Sequence, residues 1–548
     1  MTDRAPRHQL ATHRVDNQPA DPGDRDFFTL DRPLQETLSR EAPDWVARRL
    51  QPLGAAVGSR AVQALGEEAN RHPPELHLFD RHGCRLDEVR YHPAYHQLMH
   101  LAFDNGWHAV AWEEESHGGH QAHVAALYLL TQAEPGFCCP VTMTHAAMPA
   151  LRQAPRVLDE WQARLLARDY DERAVPAWEK PAVTLGMAMT EKQGGSDVRA
   201  NSTCARDGDD GYRLTGHKWF CSAPMSDAFL TLARTEAGLG CFLVPRFTPD
   251  GERNTIEIQR LKDKCGNRAN ASAEIEYRDA WAEPIGEPDR GIATILEMVQ
   301  QTRLDAATAP VGMMRQALVE AWTHVRQRQA FGKPLGEQPL MRRVIADLAL
   351  ETEAGLALVL RAARAFDSPG DEREGLLARL LPALGKYWHN KRAPGFMAEA
   401  MECLGGIGYV EESPLARLYR EAPVNSIWEG SGNVICLDVL RALHRHPACL
   451  EVLHAELAAA RGLSSDYDRA VANLSSALSR PAEALEADAR WLTQRLAQCI
   501  QASLLLRHAP NEVAETFCRS RLGDAVSAAY GVLPLDAPLD AILARIEP

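Results

Sequence analysis

The sequence predicts a mainly helical protein with one β domain near the middle of the chain. In the first part, apolar residues recur at helical spacing in residues 98–110 and 117–131. From about residue 181 to residue 285, the pattern changes to short runs that alternate apolar and polar residues, with turn signals such as residues 207–211 between them. Helical spacing returns at about Gly291 and continues towards the end of the chain.

These changes divide the 548 residues into five predicted segments. They are an extended N-terminal arm (1–32), a helical domain (33–180), a β domain (181–288), a helical bundle domain (289–446) and a C-terminal helical extension (447–548). The β domain is predicted to be antiparallel because no helical stretch separates its strands. Long amphipathic stretches at 292–304, 312–329, 340–366 and 376–400, with few loops between them, predict the bundle.

The composition narrows the possible function classes. The chain has 74 acidic and 60 basic side chains, and its net charge of −14 repels polyanions, which argues against general nucleic-acid binding. Its 12 cysteines show no CxxC spacing, so neither a disulfide framework nor a zinc site is expected. No stretch has the length of a membrane span, and residues 1–26 lack the apolar core of a signal peptide, so the cytoplasm is the predicted location.

Two segments contain residue types that suit a flat ring ligand. In residues 187–197, Thr190 precedes a tight glycine loop that ends in Ser196, so backbone N–H groups can approach a ligand and hydroxyls can bond to ring carbonyls. In residues 216–222, an aromatic pair precedes Ser222, so one ring can shield a ligand while the hydroxyl bonds to its edge. Each segment also has a simpler interpretation, a polar turn and ordinary β-core aromatics respectively.

Two further segments could contact phosphate groups. Arg328 ends a predicted helix just before Phe331, and its planar guanidinium suits a pyrophosphate, although it could instead serve the helix C-terminus. Gly405 and Gly406 permit a close backbone approach to a phosphate, or simply end a helix. A Rossmann motif is rejected for these glycines because they do not follow a strand within a βαβ unit.

The fifth segment, residues 426–433, contains the candidate catalytic group. Glu429 follows Trp428 on a glycine-rich loop that enters a helix. Desolvation by the aromatic would raise the pKa of this carboxyl, as a base acting near neutral pH requires. The following helix N-terminus favours a developing negative charge. Alternatively, Ser431 or Asn433 caps the helix and Glu429 is merely solvated.

A histidine pattern raises the question of a metal site. His117, His120 and His123 are spaced as HxxHxxH beside three glutamates. At about 100° per residue, this spacing spreads the imidazoles widely around a helix. A polar helix face is therefore expected here, and no metal.

Considered as a set, the five segments resemble the motifs of the acyl-CoA dehydrogenase family, over about residues 90–445. Residues 190–197 (TEKQGGSD), 260–264 (RLKDK) with 266–268 (GNR), and 425–433 (NSIWEGSGN) are most similar to the AidB-like branch, which is linked to the alkylation response. The resemblance implies an N-terminal helical domain, an antiparallel β-barrel-like middle domain, a C-terminal four-helix bundle and an extra helical C-terminal domain. It also implies a homotetramer that binds FAD between the β domain and the bundle.

The resemblance further assigns a role to each site residue. Glu429 would remove the α-proton of an acyl-CoA thioester while a hydride passes to flavin N5, towards which Ser222 reaches. Arg328, Phe331, Gly405 and Gly406 would contact the cofactor of a neighbouring subunit. The expected cofactor-binding residues are Met187, Met189, Thr190, Gly195, Ser196, Phe220, Ser222, Arg328, Phe331, Gln338, Gly405, Gly406, Ile427, Trp428, Gly430, Ser431 and Asn433.

Some positions depart from the family pattern. Phe220 stands where a tryptophan is usual, with Trp219 one place earlier, and Glu402 stands where glutamine is common. Gln338 lies one residue nearer to Phe331 than the usual spacing. In some members of the family, the catalytic base comes just before the arginine that corresponds to Arg303. That position here is Thr302, which cannot act as a carboxylate base. Glu429 is therefore the one carboxylate that a family motif assigns to this role.

Two functions follow from the resemblance. One is FAD-dependent dehydrogenation of an acyl-CoA, with Glu429 as the base. The alternative is an alkylation-response flavoprotein that binds or protects double-stranded DNA and has weak dehydrogenase activity. Arginines in and next to the extension could serve that role: Arg441, Arg445, Arg490, Arg495, Arg519 and Arg521.

Overall fold

The computed structural model describes residues 6–524 and 527–547, and it confirms the mainly helical class with one β domain. The N-terminal part is helical except for one hairpin. Its elements are α1 (Arg32–Glu41), α2 (Asp44–Val57), α3 (Arg60–Arg71), β1 (Glu75–Phe79), β2 (Arg85–Arg90), α4 (Pro93–Phe103), α5 (Val110–Glu113), α6 (Gly119–Leu130), α7 (Cys138–Ala146), α8 (Met148–Leu151) and α9 (Pro155–Leu165).

The hairpin of β1 and β2 interrupts a region that the sequence predicts to be mostly helical. Its turn is closed by Asp80, whose carboxylate accepts hydrogen bonds from the backbone N–H groups of His82 and Cys84. Val89 is buried within the hydrophobic cluster of the β domain, and Leu76 packs against that cluster. The hairpin therefore belongs by packing to the β domain, although it lies among helices in the sequence.

Helix α6 lies at the centre of the N-terminal part. All twelve of its residues are buried. A helix that is buried on every side shows little amphipathic periodicity, so its polar residues need partners inside the protein. The histidines of this helix have such partners, described below.

The middle part forms a barrel-like sheet. Its strands are β3 (Leu185–Ala188), β4 (Cys204–Gly208), β5 (Gly211–Ser222), β6 (Ala228–Arg234), β7 (Leu239–Pro245), β8 (Ile256–Leu261) and β9 (Ser272–Ile285). The sheet closes on itself because β7 pairs with both β9 and β6, and β6 pairs in turn with β4.

Most pairs in this sheet are antiparallel, as predicted, but β3 and β4 run parallel to β6. The long loop 189–203 explains the difference. It follows β3 in place of a hairpin turn, so β3 pairs with a strand that is not its neighbour in sequence.

The bundle is built on three long helices. Its elements are α10 (Gly291–Gln327), the short pair β10 (Gln329–Ala330) and β11 (Lys333–Pro334), α11 (Pro339–Phe366), α12 (Glu372–Leu404), α13 (Pro414–Glu421) and α14 (Gly432–Arg445). Helices α10, α11 and α12 pack against one another, and α14 packs against α12.

Helix α10 joins two stretches that the sequence analysis treats separately, and Pro310 lies inside it. A proline has no N–H for the carbonyl four residues earlier, here that of Ala306. Asn390 of α12 supplies the missing donor, because its Nδ2 lies 2.9 Å from Ala306 O and 2.7 Å from Lys386 O. A side chain from the neighbouring helix thus satisfies the acceptor and lets α10 continue.

We expect Asn390→Ala to lower the free energy of unfolding by about 1–3 kcal/mol, because it leaves buried carbonyls without donors. In a Pro310→Ala background, the restored N–H can bond to Ala306 O, so the same substitution should cost less. Urea denaturation of the four proteins in this cycle measures the difference. Equal costs in both backgrounds would contradict the compensating role of Asn390.

The extension continues the helical architecture. Its helices are α15 (Pro447–Ala458), α16 (Ser465–Leu478), α17 (Ala482–Ala487), α18 (Ala489–His508), α19 (Asn511–Arg521) and α20 (Leu539–Leu543). Helix α18 packs against α11, α12 and α14. One buried apolar cluster runs from Phe27 through the bundle to Ile546, so the extension shares its core with the rest of the chain.

Buried ion pairs also connect the extension to the bundle. Arg521 of α19 contacts Asp347 and Glu351 of α11, and all three side chains are almost fully buried. Arg545, near the C-terminus, pairs with Glu353 of α11 and with Glu36 of α1, each at 2.7 Å.

Among the described residues, the helices lack the combination of length and hydropathy that crossing a membrane requires.

Candidate active site

Glu429 lies on the loop between α13 and α14, and its backbone is left-handed (φ 56°). Gly430 follows with φ 99°. The Thr302 hydroxyl of α10 lies 2.5 Å from Glu429 Oε2 and donates to it. Glu429 as a whole is half-buried, but Thr302 is buried. The hydrogen bond between them therefore shows that the carboxylate points towards the interior.

The electrostatics of Glu429 suit a base. Burial raises the pKa of its carboxyl above the ordinary value. The Thr302 hydroxyl and the charges of Lys386 and Arg303 lower that pKa in part, whereas Asp305 raises it. The carboxylate therefore holds a proton more strongly than an exposed glutamate.

Two buried cations hold the backbone of this loop. Arg303 Nε of α10 donates to Glu429 O at 3.3 Å, and Lys386 Nζ of α12 donates to Gly430 O at 2.6 Å. Arg303 is also paired with Asp438 of α14 at 2.8 Å. The two consecutive carbonyls of the left-handed segment are thus each fixed by a different helix of the bundle.

The other predicted residues of this loop have distinct surroundings. Ile427 is exposed, and Trp428 donates from Nε1 to Asn425 Oδ1 at 2.9 Å. Ser431 is the N-cap of α14 but makes no capping hydrogen bond with its side chain. Asn433 Oδ1 accepts from Arg490 of the extension at 3.3 Å. The amide groups that begin α14 are therefore not capped by Ser431.

The loop with Thr190, Gly195 and Ser196 is anchored by a fully buried ion pair. Glu191 and Lys218 of β5 are both 0% exposed, and Lys218 Nζ lies 3.0 Å from Glu191 Oε1. Burial alone would raise the pKa of Glu191, but the Lys218 ammonium and the N–H of Ser202 hold it well below the usual range. A Cβ at Gly195 would lie 2.4 Å from Thr190 Oγ1, so only glycine fits this position.

The middle-domain segments meet the Glu429 loop. Met187, Met189 and Trp428 all pack against one hydrophobic cluster. Burial raises the pKa of the Cys139 thiol of α7 to about 12, and the Glu429 charge adds to that rise. The two methionines of the middle domain and the tryptophan next to Glu429 therefore border one hydrophobic cluster.

The two aromatic residues of β5, Trp219 and Phe220, differ in how accessible their rings are. Lys262 Nζ lies 3.2 Å from the centre of the Trp219 ring, so this tryptophan is covered by a cation. The Phe220 ring is exposed. Phe220 is therefore the more accessible aromatic beside Ser222.

The remaining predicted residues lie at the other end of the bundle. Gln327 is 25 residues after Thr302 on α10, which corresponds to about 38 Å. Arg328 and Phe331 follow it, and Phe331 is 98% exposed. Gln338 begins α11 and donates to Ala330 O at 3.1 Å.

Gly405 and Gly406 lie at the same end as Arg328. Helix α11 runs antiparallel to α12, since Glu374 and Arg392 of α12 pair with Arg361 and Glu351 of α11. It also runs antiparallel to α10, since Gly355 lies against Val311 whereas Gly336, just before α11, lies against Val325. Helices α10 and α12 are therefore parallel. Both helices therefore end on the same side. Among the described residues other than its chain neighbours, a Cβ built on either glycine would meet nothing within 4 Å, so both face open space. Within one subunit, these residues are far from Glu429.

The histidines of the HxxHxxH pattern have separate environments. His117 is exposed, His120 contacts Asp367 at 3.1 Å, and His123 contacts Asp305 at 3.0 Å. His123 and Asp305 lie near the buried His145, but the two imidazole rings are stacked 3.7 Å apart. One possible ligand atom from each of His123, His145 and Asp305 lies within 4.8 Å of the others, but Nε2 of His123 is already hydrogen-bonded to Asp305.

Several arginines considered for DNA binding are already engaged. Arg521 is buried in its ion pairs, and Arg519 pairs with Asp536 at 2.7 Å. Arg490 contacts Asn433 and the Tyr387 hydroxyl, and Arg495 donates to Arg521 O. Double-stranded DNA as a partner stays a prediction.

Two contacts of this site are absent from the sequence predictions. Lys386 lies within the otherwise apolar run 380–388, and nothing in that run indicates which group its ammonium meets. Asn17 forms a two-point contact with the backbone of Gln329 at 2.8 and 2.9 Å, and its carbonyl accepts from Arg328 Nη1 at 2.6 Å. No local pattern marks that asparagine.

Family models match most of the chain. Residues 289–444 match the acyl-CoA dehydrogenase C-terminal domain, and residues 186–280 match the acyl-CoA dehydrogenase middle domain. The chain belongs to the acyl-CoA dehydrogenase family of oxidoreductases. Residues 17–172 match the adaptive response protein AidB N-terminal domain, so the chain falls in the AidB-like branch.

Individual relatives agree with this placement. The chain is 46% identical to AidB of Escherichia coli (strain K12) over 93% of this chain and 94% of that one. The structure of Caenorhabditis elegans ACDH-11 in complex with C11-CoA has a TM-score of 0.87 and 28% identity, and covers 96% of both chains. A glutaryl-CoA dehydrogenase from Mycobacterium smegmatis in complex with FADH2 shares the fold, with a TM-score of 0.59 and 19% identity over 75% of this chain and 98% of that one.

Proposed function

We propose that the protein is an FAD-dependent dehydrogenase that removes two hydrogens from the α and β carbons of an acyl-CoA thioester, with Glu429 as the base. The observation that carries this proposal is the Glu429 carboxylate, which accepts a hydrogen bond from the buried Thr302 hydroxyl and follows Trp428, a residue that packs against the same hydrophobic cluster as Met187 and Met189. A family name alone does not identify a base. The raised pKa of this carboxyl and its closeness in sequence to the shared hydrophobic cluster support the role of Glu429 as the base.

The residues present fit a flavin. The loop with Thr190 and Ser196 offers hydroxyls and backbone N–H groups, and a Cβ at Gly194 would meet nothing within 4 Å. Met187 and Met189 provide a half-buried apolar wall. When bound, FAD would supply a two-electron acceptor for the substrate β-hydrogen.

The chain itself would handle the proton and the thioester. Glu429 would take the α-proton on its carboxylate, whose raised pKa makes it a stronger base than an exposed glutamate. Its backbone N–H would donate to the thioester oxygen and stabilise the charge that develops there. Arg303 and Lys386 would keep the loop in place during this step.

The separation of the site residues supports an oligomer, and we infer a homotetramer from the family. Arg328, Phe331, Gly405 and Gly406 lie at the end of the bundle remote from Glu429, where Phe331 and the two glycines face open space or solvent and Arg328 is half-buried. They would contact the cofactor of a neighbouring subunit, with Arg328 on the pyrophosphate.

The proposal is tested on the purified protein. It should be yellow, with the absorbance of oxidised flavin, and one or more members of a panel of acyl-CoAs should bleach that colour under anaerobic conditions. C11-CoA belongs in the panel because a structural neighbour was solved with it. A colourless protein that cannot be reconstituted with FAD, or a yellow one that no acyl-CoA bleaches, would overturn the proposal.

Arg328→Ala should weaken FAD binding by about tenfold or more, because a charge-assisted hydrogen bond contributes about 1.5–3 kcal/mol. The measurement is the apparent Kd for FAD from fluorescence titration of the apoprotein. Arg326→Ala is a matched control, because Arg326 lies on the same segment and pairs with Glu547 at 3.2 Å. Equal FAD affinities in both variants would exclude the pyrophosphate role.

A further inference from the structure

Lys386 is an unusual cation in the bundle of this protein. It lies in the middle of α12 and is only 1% exposed. Its ammonium donates to Gly430 O at 2.6 Å, and within the described chain it has no carboxylate within ion-pair distance. Burial of an ammonium without a close counterion is unfavourable, so the position calls for an explanation.

Arg303 is the other buried cation that holds this loop, and unlike Lys386 it has a carboxylate partner. Both cations hold a carbonyl of the left-handed segment, Arg303 that of Glu429 and Lys386 that of Gly430. Arg303 is neutralised by Asp438, which also pairs with Arg379. Lys386 has no such partner among the described residues, and the carboxylate whose charge raises its pKa is that of Glu429.

We infer that Lys386 is a positioning residue for the base. Its ammonium fixes the peptide after Glu429, and its charge stabilises the ionised form of the Glu429 carboxylate. This inference rests on the proposed function, because it concerns the group proposed to take the α-proton.

The charges around this pair can be named from each helix. On α10 they are Arg303 and Asp305, and on α12 it is Lys391. Burial lowers the pKa of Lys386 to about 7, and the Glu429 charge acts in the opposite direction. Burial raises the pKa of Glu429, and Lys386 lowers it. Each charge therefore favours the other, and loss of the Lys386 charge should raise the pKa of Glu429 further.

The ionised state of Glu429 determines how the bleaching rate should depend on pH. Glu429 acts as a base only when it is ionised, so the bleaching rate falls as pH drops through its pKa. If Lys386 stabilises the ionised form, its removal moves this acid limb to higher pH. An opposite charge at close range shifts a carboxyl pKa by about 1–3 units, so a displacement of about one pH unit is expected.

The variants separate the two contributions of Lys386. Lys386→Met removes both the charge and the hydrogen bond, Lys386→Gln removes the charge but keeps a donor for Gly430 O, and Lys386→Arg keeps the charge. Lys391→Met is the matched control. Lys391 lies on the same helix, is exposed, and donates to the Ser426 hydroxyl of the same loop.

The measurement is the anaerobic bleaching rate of each FAD-loaded protein by stopped flow, as a function of pH, with the acyl-CoA that bleaches the wild type fastest. Lys386→Met and Lys386→Gln should both show the displaced acid limb. Lys386→Met should in addition bleach about tenfold more slowly on the plateau, because the base is less well placed. Lys386→Arg and Lys391→Met should keep the wild-type limb.

An unchanged acid limb in an FAD-loaded Met or Gln variant would overturn the inference, even if the variant were less stable. Should Lys386→Met fail to fold, Lys386→Gln decides, because it retains the hydrogen bond. A wild type that no acyl-CoA bleaches marks a different failure, since it overturns the proposed function and removes this inference with it.

Discussion

Glu429→Gln should abolish substrate bleaching for practical purposes, with a rate about 10²–10⁴-fold below that of the wild type. Glutamine has the same size and can still accept the hydrogen bond from the Thr302 hydroxyl, so the loop should keep its conformation. It cannot accept the α-proton. The FAD content and the absorbance spectrum should therefore stay as in the wild type, while anaerobic stopped-flow traces with acyl-CoA show no fast phase.

Glu421→Gln is the matched control for this experiment. Glu421 is another buried glutamate, on α13, and burial raises the pKa of its carboxyl to about 7. It accepts from Asn267 N at 2.6 Å, a contact that glutamine can keep. Bleaching should be normal in this variant. If Glu429→Gln also bleached normally, another group would have to be the base.

Arg521→Met should lower the free energy of unfolding by about 3–5 kcal/mol, because it leaves the buried Asp347 without its ion-pair partner and leaves the buried Glu351 with Arg392 alone. The effect should appear in urea denaturation as an earlier midpoint of the transition of the whole chain. That expectation follows from the apolar core shared by the extension and the bundle.

Arg519→Met provides the contrast two residues away on the same helix. Arg519 pairs with Asp536 at the surface, where an ion pair contributes about 0–1 kcal/mol. Its midpoint should stay close to that of the wild type. If Arg521→Met instead produced a separate early transition of the extension, the shared core would not make the two parts unfold together.

Local sequence patterns were sufficient for the fold class and for the group around Glu429. The glycine loop, the β5 aromatics and the tryptophan–glutamate pair each have a recognisable composition. Their order along the chain made the resemblance to one family specific. The resemblance to a family converted weak individual signals into one expectation, and the family models confirm it. The roles of the individual site residues stay predictions.

Other features depend on contacts between distant residues and had no local signal. Pro310 indicates a helix break by itself, and only Asn390, eighty positions later, explains why α10 continues. The hairpin β1–β2 lies among helices and is stabilised by the core of another domain. Lys386 is unremarkable as a lysine in sequence and becomes informative only through the carbonyl that it meets.

The contact between Arg545 and Glu36 has a consequence for synthesis of the chain. The two residues are 509 positions apart, and Arg315 in between donates both to Leu30 O and to Ile546 O. While the ribosome is still making the extension, Glu36, Glu353 and Arg315 lack these partners. The nascent chain can form its β domain early, but we expect the first helix and the bundle to reach their final packing only after Arg545 and Ile546 have left the ribosome.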